Sequence, residues 1–184
     1  MFTSLANKLT FGRILVIPVI LVLLVIPAAW AAWVALFLFG TAGVSDGLDG
    51  YLARRENKVT RLGQFLDPIA DKLLISAVIL LLVYNKQIDG MTVFPAVIIL
   101  LREVAVSGLR EFLAGVRVSV PVSQMAKWKT TIQIFALGFL IVGRYAPVWI
   151  PSTTIGDIGL WIAGAITVLT ALDYWWASEK HFNE

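Results

Sequence analysis

The sequence predicts an all-α integral membrane protein, a single domain over residues 1–184, with six transmembrane helices and an active site at the cytoplasmic side. Three observations predict it. The 184 residues are 59% hydrophobic, against roughly 45–50% in a soluble domain, and the mean hydropathy is +0.84. The apolar residues gather into six runs, each near the roughly 20 residues a helix needs to cross a bilayer. The cations, finally, are spread very unevenly about those runs.

The first span lies near residues 11–29, an aliphatic stretch containing Pro18, and a short turn around Pro27 to Trp30 closes it. The second, near 31–53, begins apolar and ends in the acidic string Val44-Ser-Asp-Gly-Leu-Asp-Gly-Tyr-Leu-Ala-Arg-Arg55. The third, near 64–84, opens on Arg61-Leu-Gly-Gln-Phe-Leu-Asp-Pro-Ile-Ala-Asp-Lys72 and runs into an aliphatic tail. The fourth, near 92–114, is apolar except for Arg102-Glu103 and Arg110-Glu111, and the fifth, near 122–143, starts around Lys127-Trp128-Lys129. A linker with Tyr145, Pro147, Trp149 and Pro151 leads to the sixth, near 156–177. No internal repeat is visible.

With six spans both termini share one side. That side carries Lys8, Arg13, Arg54, Arg55, Lys58, Arg61, Lys72, Arg102, Arg110, Arg117, Lys127, Lys129 and Lys180, and the other carries Lys86 and Arg144. The positive-inside rule then puts both termini in the cytoplasm of a multi-pass protein of the cell inner (plasma) membrane. Trp30, Trp33, Trp149, Trp175 and Trp176 fall near helix ends, where amphipathic rings anchor at the interface. Lys8, Arg13, the apolar run and Ala29-Trp30-Ala31 also resemble a cleavable signal peptide. Pro18 inside that run, and the immediate onset of a second span, favour a retained helix. The absence of cysteine excludes disulfides, thiolate metal sites and a cysteine nucleophile. The net charge of +3 reflects loop cations, and no nucleic-acid motif accompanies it.

The chemistry points to four aspartates. Asp46 and Asp49 share a helical face with Gly50 and Ala53, and Gly63, Asp67 and Asp71 share one at four-residue spacing. Charges beside a bilayer are costly and mark functional sites by default. Converging carboxylates need a cation, and their hard oxygens suit a divalent ion such as Mg²⁺ or Mn²⁺, with room for two. Two such ions stabilise the attacking and leaving oxygens of an in-line displacement at phosphorus, and Arg54 can bind a phosphate oxygen. Each aspartate alone has an ordinary reading: Asp67-Pro68 as a helix N-cap with proline at the first helical position, Asp71-Lys72 as an interfacial pair, Asp46 and Asp49 as solvated groups.

The string Asp46-x2-Asp49-Gly50-x2-Ala53-Arg54-x8-Gly63-x3-Asp67-x3-Asp71 resembles the complete signature of the CDP-alcohol phosphotransferases. That resemblance implies six transmembrane helices, a homodimer, and attack of an alcohol on the β-phosphate of a CDP-linked lipid with release of CMP. It also implies that Asp46, Asp49, Asp67 and Asp71 hold metal, that Asp71 takes the proton from the attacking hydroxyl, and that Gly50, Ala53, Arg54 and Gly63 lie against the CDP-lipid.

Arg102 and Arg110 are eight apart on roughly one helical face, with Ser107 between, and Lys127 and Lys129 follow on the same side of the membrane. Arg102 lies well inside an apolar span, and Glu103, its neighbour in sequence, is expected to point elsewhere on the helix. A cationic pocket beside the metals suggests a phosphorylated acceptor; the plainer reading is positive-inside anchoring with snorkelling side chains. The strings Arg102–Glu111 and Lys127–Thr131, and the opening Asn7-Lys-Leu-Thr10-Phe-Gly-Arg13 with Pro18, resemble those of phosphatidylglycerophosphate synthases. This implies CDP-diacylglycerol and sn-glycerol 3-phosphate as substrates, with Asn7 and Thr10 on the CDP-lipid and Arg102, Arg110, Lys127 and Lys129 on the acceptor phosphate. Phosphatidylinositol-phosphate and phosphatidylserine synthases are the neighbouring alternatives. An intramembrane prenyltransferase calls for more spans and other aspartate spacing, and a divalent-cation transporter calls for midplane carboxylates on broken helices.

Overall fold

The computed structural model describes residues 5–56, 61–115 and 124–179. They form six α-helices: α1 (Leu5–Val25), α2 (Ala29–Glu56), α3 (Arg61–Tyr84), α4 (Val93–Gly115), α5 (Gln124–Val142) and α6 (Ser152–Glu179). Two 3₁₀ turns, Gly90–Thr92 and Gly143–Tyr145, precede α4 and follow α5. Each expected span coincides with one helix. Among the described residues two stretches are long and apolar enough to cross a membrane by length and composition, Gly90–Leu113 and Ser152–Leu172, and Phe11–Val25 and Ala29–Val44 are shorter apolar helices.

The helices are apolar on both their inner and outer faces. Phe37, Leu80, Leu101, Val104 and Phe135 are all more than half exposed. Exposed aliphatic and aromatic surface on this scale is rare on soluble monomers, so the exterior fits a lipid environment. The interior is set by stripes at three- and four-residue spacing: Ile17, Ile20 and Leu24 on α1, Ala31, Ala35, Phe39 and Ala42 on α2, and Ala70, Leu74, Val78 and Leu82 on α3.

Pairwise packing orders the bundle. α1 lies against both α2 and α3, α5 against α2 and α6, and α4 against α6, while α2 and α3 touch little. Small residues permit the closest approach, as is usual between helices in lipid. A Cβ added at Gly159 would sit 2.8 Å from the Cβ of Ala136 on α5, and one at Gly164 would sit 2.9 Å from the Cβ of Pro95 on α4. At the end remote from the aspartates, Asn85 Nδ2 donates to the carbonyl of Leu24 at 2.7 Å and Arg144 Nη2 to the carbonyl of Asn85 at 3.0 Å. There Gly143 has a φ of +40°, a left-handed conformation that favours glycine where the chain turns out of α5, and a Cβ would press on the Gln87 amide.

Candidate active site

The apolar stripes lead to the site, because polar residues replace apolar ones along them. On α2 the register of Ala35, Phe39 and Ala42 continues to residues 46, 49, 50 and 53. On α3 the register of Ala70, Leu74 and Val78 takes in residues 63, 67 and 71. The two signature halves therefore occupy the C-terminal part of α2 and the N-terminal part of α3, as the spacing predicts. The side chains of Asp46, Asp49, Gly50, Ala53, Arg54, Gly63, Asp67, Asn7, Thr10 and Arg110 lie outside the described residues, although the helices bearing them are described.

Asp71 is described, half-buried beside the Ala70–Leu74 stripe and within Coulombic range of Lys129 on α5. The capping reading of Asp67 does not hold. α3 begins at Arg61, so Asp67 and Pro68 lie inside the helix and Asp67 is not its N-cap. Proline there supplies no N–H to the carbonyl four residues back. Lys72 Nζ donates to the carbonyl of Pro68 at 3.1 Å, one turn back on its own helix.

The cations divide into two kinds. Lys127 is exposed, while Lys129, two residues on and so on the opposite side of the helix, is buried at 3% exposure. The structure therefore does not bring these two together. Lys129 Nζ donates to Glu103 Oε1 of α4. Arg102 Nη1 lies 3.5 Å from that same oxygen, and Arg102 Nη2 lies 3.4 Å from Thr170 Oγ1 of α6. This corrects the expectation that Glu103 points away: the Arg102 side chain curls back to its neighbour, and Glu103 occupies the interior stripe with Ala96, Ile99 and Val106.

Several interior polar groups escaped the motif reading. Arg13 is 4% exposed, so it is an interior group of α1, where the sequence suggests only a loop cation and the last residue of the opening string. Gln133, one turn after Lys129, and Thr167, one turn before Thr170, are buried, and Gln133 Oε1 and Thr167 Oγ1 have no hydrogen-bond partner. Their signal was available: Lys129, Gln133, Ala136 and Leu140 are spaced four, three and four apart, so the two polar residues sit on the face of an evident core stripe.

An apolar cavity of about 510 Å³ lies alongside, between α2 and α5. Phe39, Gly40, Gly43 and Val44 line one wall and Ile134, Phe135 and Gly138 the other. Val44 stands two residues before Asp46, so the cavity starts beside the acidic end of α2 and runs toward Pro147 and Ile150 near the opposite end of the bundle.

A family model for CDP-alcohol phosphatidyltransferase matches residues 3–170. Among curated proteins, one from Rickettsia felis named CDP-diacylglycerol–glycerol-3-phosphate 3-phosphatidyltransferase is 47% identical, the match covering 97% of this chain and 97% of that protein. Proteins of the same name from Haemophilus influenzae and Bacillus subtilis are 38% and 36% identical, over 90% and 98% of this chain and 88% and 99% of their own lengths.

Proposed function

The chain belongs to the CDP-alcohol phosphatidyltransferase family, and from that premise we propose that it transfers the phosphatidyl group of CDP-diacylglycerol to sn-glycerol 3-phosphate. The products are phosphatidylglycerol phosphate and CMP. The observation that carries this reading is the near-full-length similarity to proteins named for that one reaction, from bacteria as different as Rickettsia and Bacillus. The chain supports it independently: the signature aspartates are carried on the C-terminal part of α2 and the N-terminal part of α3, a cationic layer lies at α4 and α5, and an apolar cavity has the size of a small-molecule site, roughly 300–1,000 Å³.

The family is generally divalent-metal dependent. The residues present fit such an ion, since aspartate oxygens are hard donors, Asp71 is half-buried on the interior stripe, and Asp67 is not taken up as a helix cap. Asp46, Asp49, Asp67 and Asp71 would hold two Mg²⁺ or Mn²⁺ ions. When bound, these would neutralise the pyrophosphate and the oxygens that attack and leave in an in-line displacement. The protein's own groups do the remainder. Asp71 accepts the proton of the attacking hydroxyl. Gly50 and Ala53 let the nucleotide approach the backbone of α2, with Gly63, Asn7 and Thr10 also on the CDP-lipid and Arg54 on a phosphate oxygen. Lys129 with Arg102 and Arg110 receives the acceptor's phosphate, and an acyl chain lies in the α2–α5 cavity. The six helices span the inner membrane with both termini in the cytoplasm, and the protein works as a homodimer.

The test is purified protein in detergent with CDP-diacylglycerol, Mg²⁺ and a panel of phosphorylated and free alcohols. Glycerol 3-phosphate should release CMP far faster than glycerol, serine or inositol phosphate. Equal use of glycerol would reassign the acceptor; equal use of inositol phosphate would move the protein to the neighbouring synthase.

A further inference from the structure

Lys129, Glu103 and Arg102 are one unit, with side chains only 4%, 17% and 11% exposed. Two cations share the single oxygen Oε1 of Glu103. A further acid that acts on Lys129 is Asp71, which the proposed reaction employs on metal and proton. The unit thus places Lys129 within Coulombic range of the reacting group, where the acceptor's phosphate is proposed to lie. Gln133 Oε1 and Thr167 Oγ1 are buried without partners one turn along from Lys129 and Thr170. Buried polar atoms are rarely left unsatisfied, so this layer is suited to a guest that carries hydroxyls as well as charge.

In such a layer a carboxylate is paradoxical. A negative group beside an anion site repels the guest, and simple electrostatics would select against Glu103. Its presence follows from a different requirement: an ammonium buried without a counter-ion is strongly unfavourable, so Lys129 needs a partner while the guest is absent. We propose that Glu103 is a positioning residue, which holds Lys129 charged and in place in the α4–α5–α6 layer so that it can receive the acceptor's phosphate. This rests on the acceptor assignment above.

The proposal has an unusual sign. Glu103→Gln removes a negative charge next to an anion site and should nonetheless raise the KM for glycerol 3-phosphate, by about 10- to 100-fold, the penalty typical of a misplaced binding group. The KM for CDP-diacylglycerol should not move, and Glu103→Asp should recover part of the loss. Because Glu103 acts mainly through Lys129 and only at 3.5 Å on Arg102, Glu103→Gln should add much less in a Lys129→Met background than it costs in the parent. The double variant also removes both charges together, so it gives the reading if Glu103→Gln alone does not fold. An unchanged or lowered KM in Glu103→Gln, or a full additional loss in the Lys129→Met background, would overturn the proposal. If the unmodified enzyme used glycerol as readily as glycerol 3-phosphate, the acceptor assignment would fail instead, and that outcome is read before any variant is made.

Discussion

Glu103 on α4 and Lys129 on α5 lie 26 positions apart and share a hydrogen bond across the bundle interior. The pair sorts the cations that lie near the aspartates. Lys129 is on the interior stripe, held by Glu103, while Lys127 is exposed on the other side of α5. Long cations on an exposed helix face anchor at the interface and contribute little to a buried site. Lys127→Ala should therefore leave the KM for glycerol 3-phosphate within a few-fold of the parent. Lys129→Met should raise it by about 30-fold to several thousand-fold, since cutting one side of a desolvated charge pair costs roughly 2–5 kcal/mol. Equal effects of the two substitutions, measured by steady-state kinetics at saturating CDP-diacylglycerol, would contradict this division.

Asp71 is the one signature carboxylate whose surroundings are described, half-buried on α3 and within Coulombic range of Lys129. A carboxylate near that cation is suited to take a proton from an acceptor whose phosphate is proposed to sit on Lys129. Asp71→Asn should keep CDP-diacylglycerol binding and lower kcat by about 10²–10⁴, the usual contribution of a positioned base. A variant with intact binding and near-parental turnover would assign the proton to another group.

Asp46, Asp49 and Asp67 are expected to act with Asp71 through metal. Chelation of the purified protein should abolish CMP release, and readdition of Mg²⁺ or Mn²⁺ should restore it. Asparagine at any of the three should weaken metal binding, read by calorimetry on the protein without substrate. Full activity in excess chelator would refute metal dependence.

Gly159 and Gly164 fix how closely α6 approaches α5 and α4, and hence the spacing of the layer that contains Lys129, Arg102 and Thr170. Gly159→Leu drives a branched side chain into Ala136 and should destabilise the protein by about 1–3 kcal/mol. Gly108 on α4 is the control, because a Cβ there meets nothing within 4 Å. Gly108→Ala should be neutral or stabilising by up to about 1 kcal/mol. Thermal unfolding in one detergent, with both variants side by side, decides it.

Helix order and extent were legible because apolar runs of membrane length leave few alternatives, and the aspartate faces were legible because residues three and four apart must share a side. Glu103 was misread for a physical reason. Its neighbour Arg102 can curl back along the helix, so adjacency in sequence does not forbid a contact, and the partner that fixes Glu103 lies on another helix. Periodicity held the missing clue: Ala96, Ile99, Glu103 and Val106 are spaced three, four and three apart, which places the carboxylate on the buried face. Asp67-Pro68 shows that a local pattern can also suggest too much. A local capping pattern was overridden because α3 starts six residues earlier, at Arg61. The α2–α5 cavity was invisible beforehand, since it depends on which helices become neighbours and not on any one helix.

That cavity yields the last prediction. Gly40 lines it on α2, and a Cβ at Gly40 meets nothing within 4 Å, so a larger side chain fits there without displacing the bundle. Leucine at this position extends into space that an acyl chain is proposed to occupy. It also removes a helix-interior glycine, which favours α2 by about 0.5–1 kcal/mol. Gly40→Leu should thus be at least as stable as the parent, yet bind long-chain CDP-diacylglycerol more weakly. Each methylene excluded from an apolar site is worth about 0.8 kcal/mol, so the loss of two or three methylene contacts corresponds to a rise of roughly 15- to 60-fold in KM at 1.4 kcal/mol per decade. A short-chain CDP-diacylglycerol, which does not fill the cavity, should be used nearly as well by the variant as by the parent. The KM for glycerol 3-phosphate should stay constant, because the Glu103–Lys129 layer is not part of the cavity wall. A uniform loss across chain lengths would mean that the cavity does not hold the acyl chain during turnover.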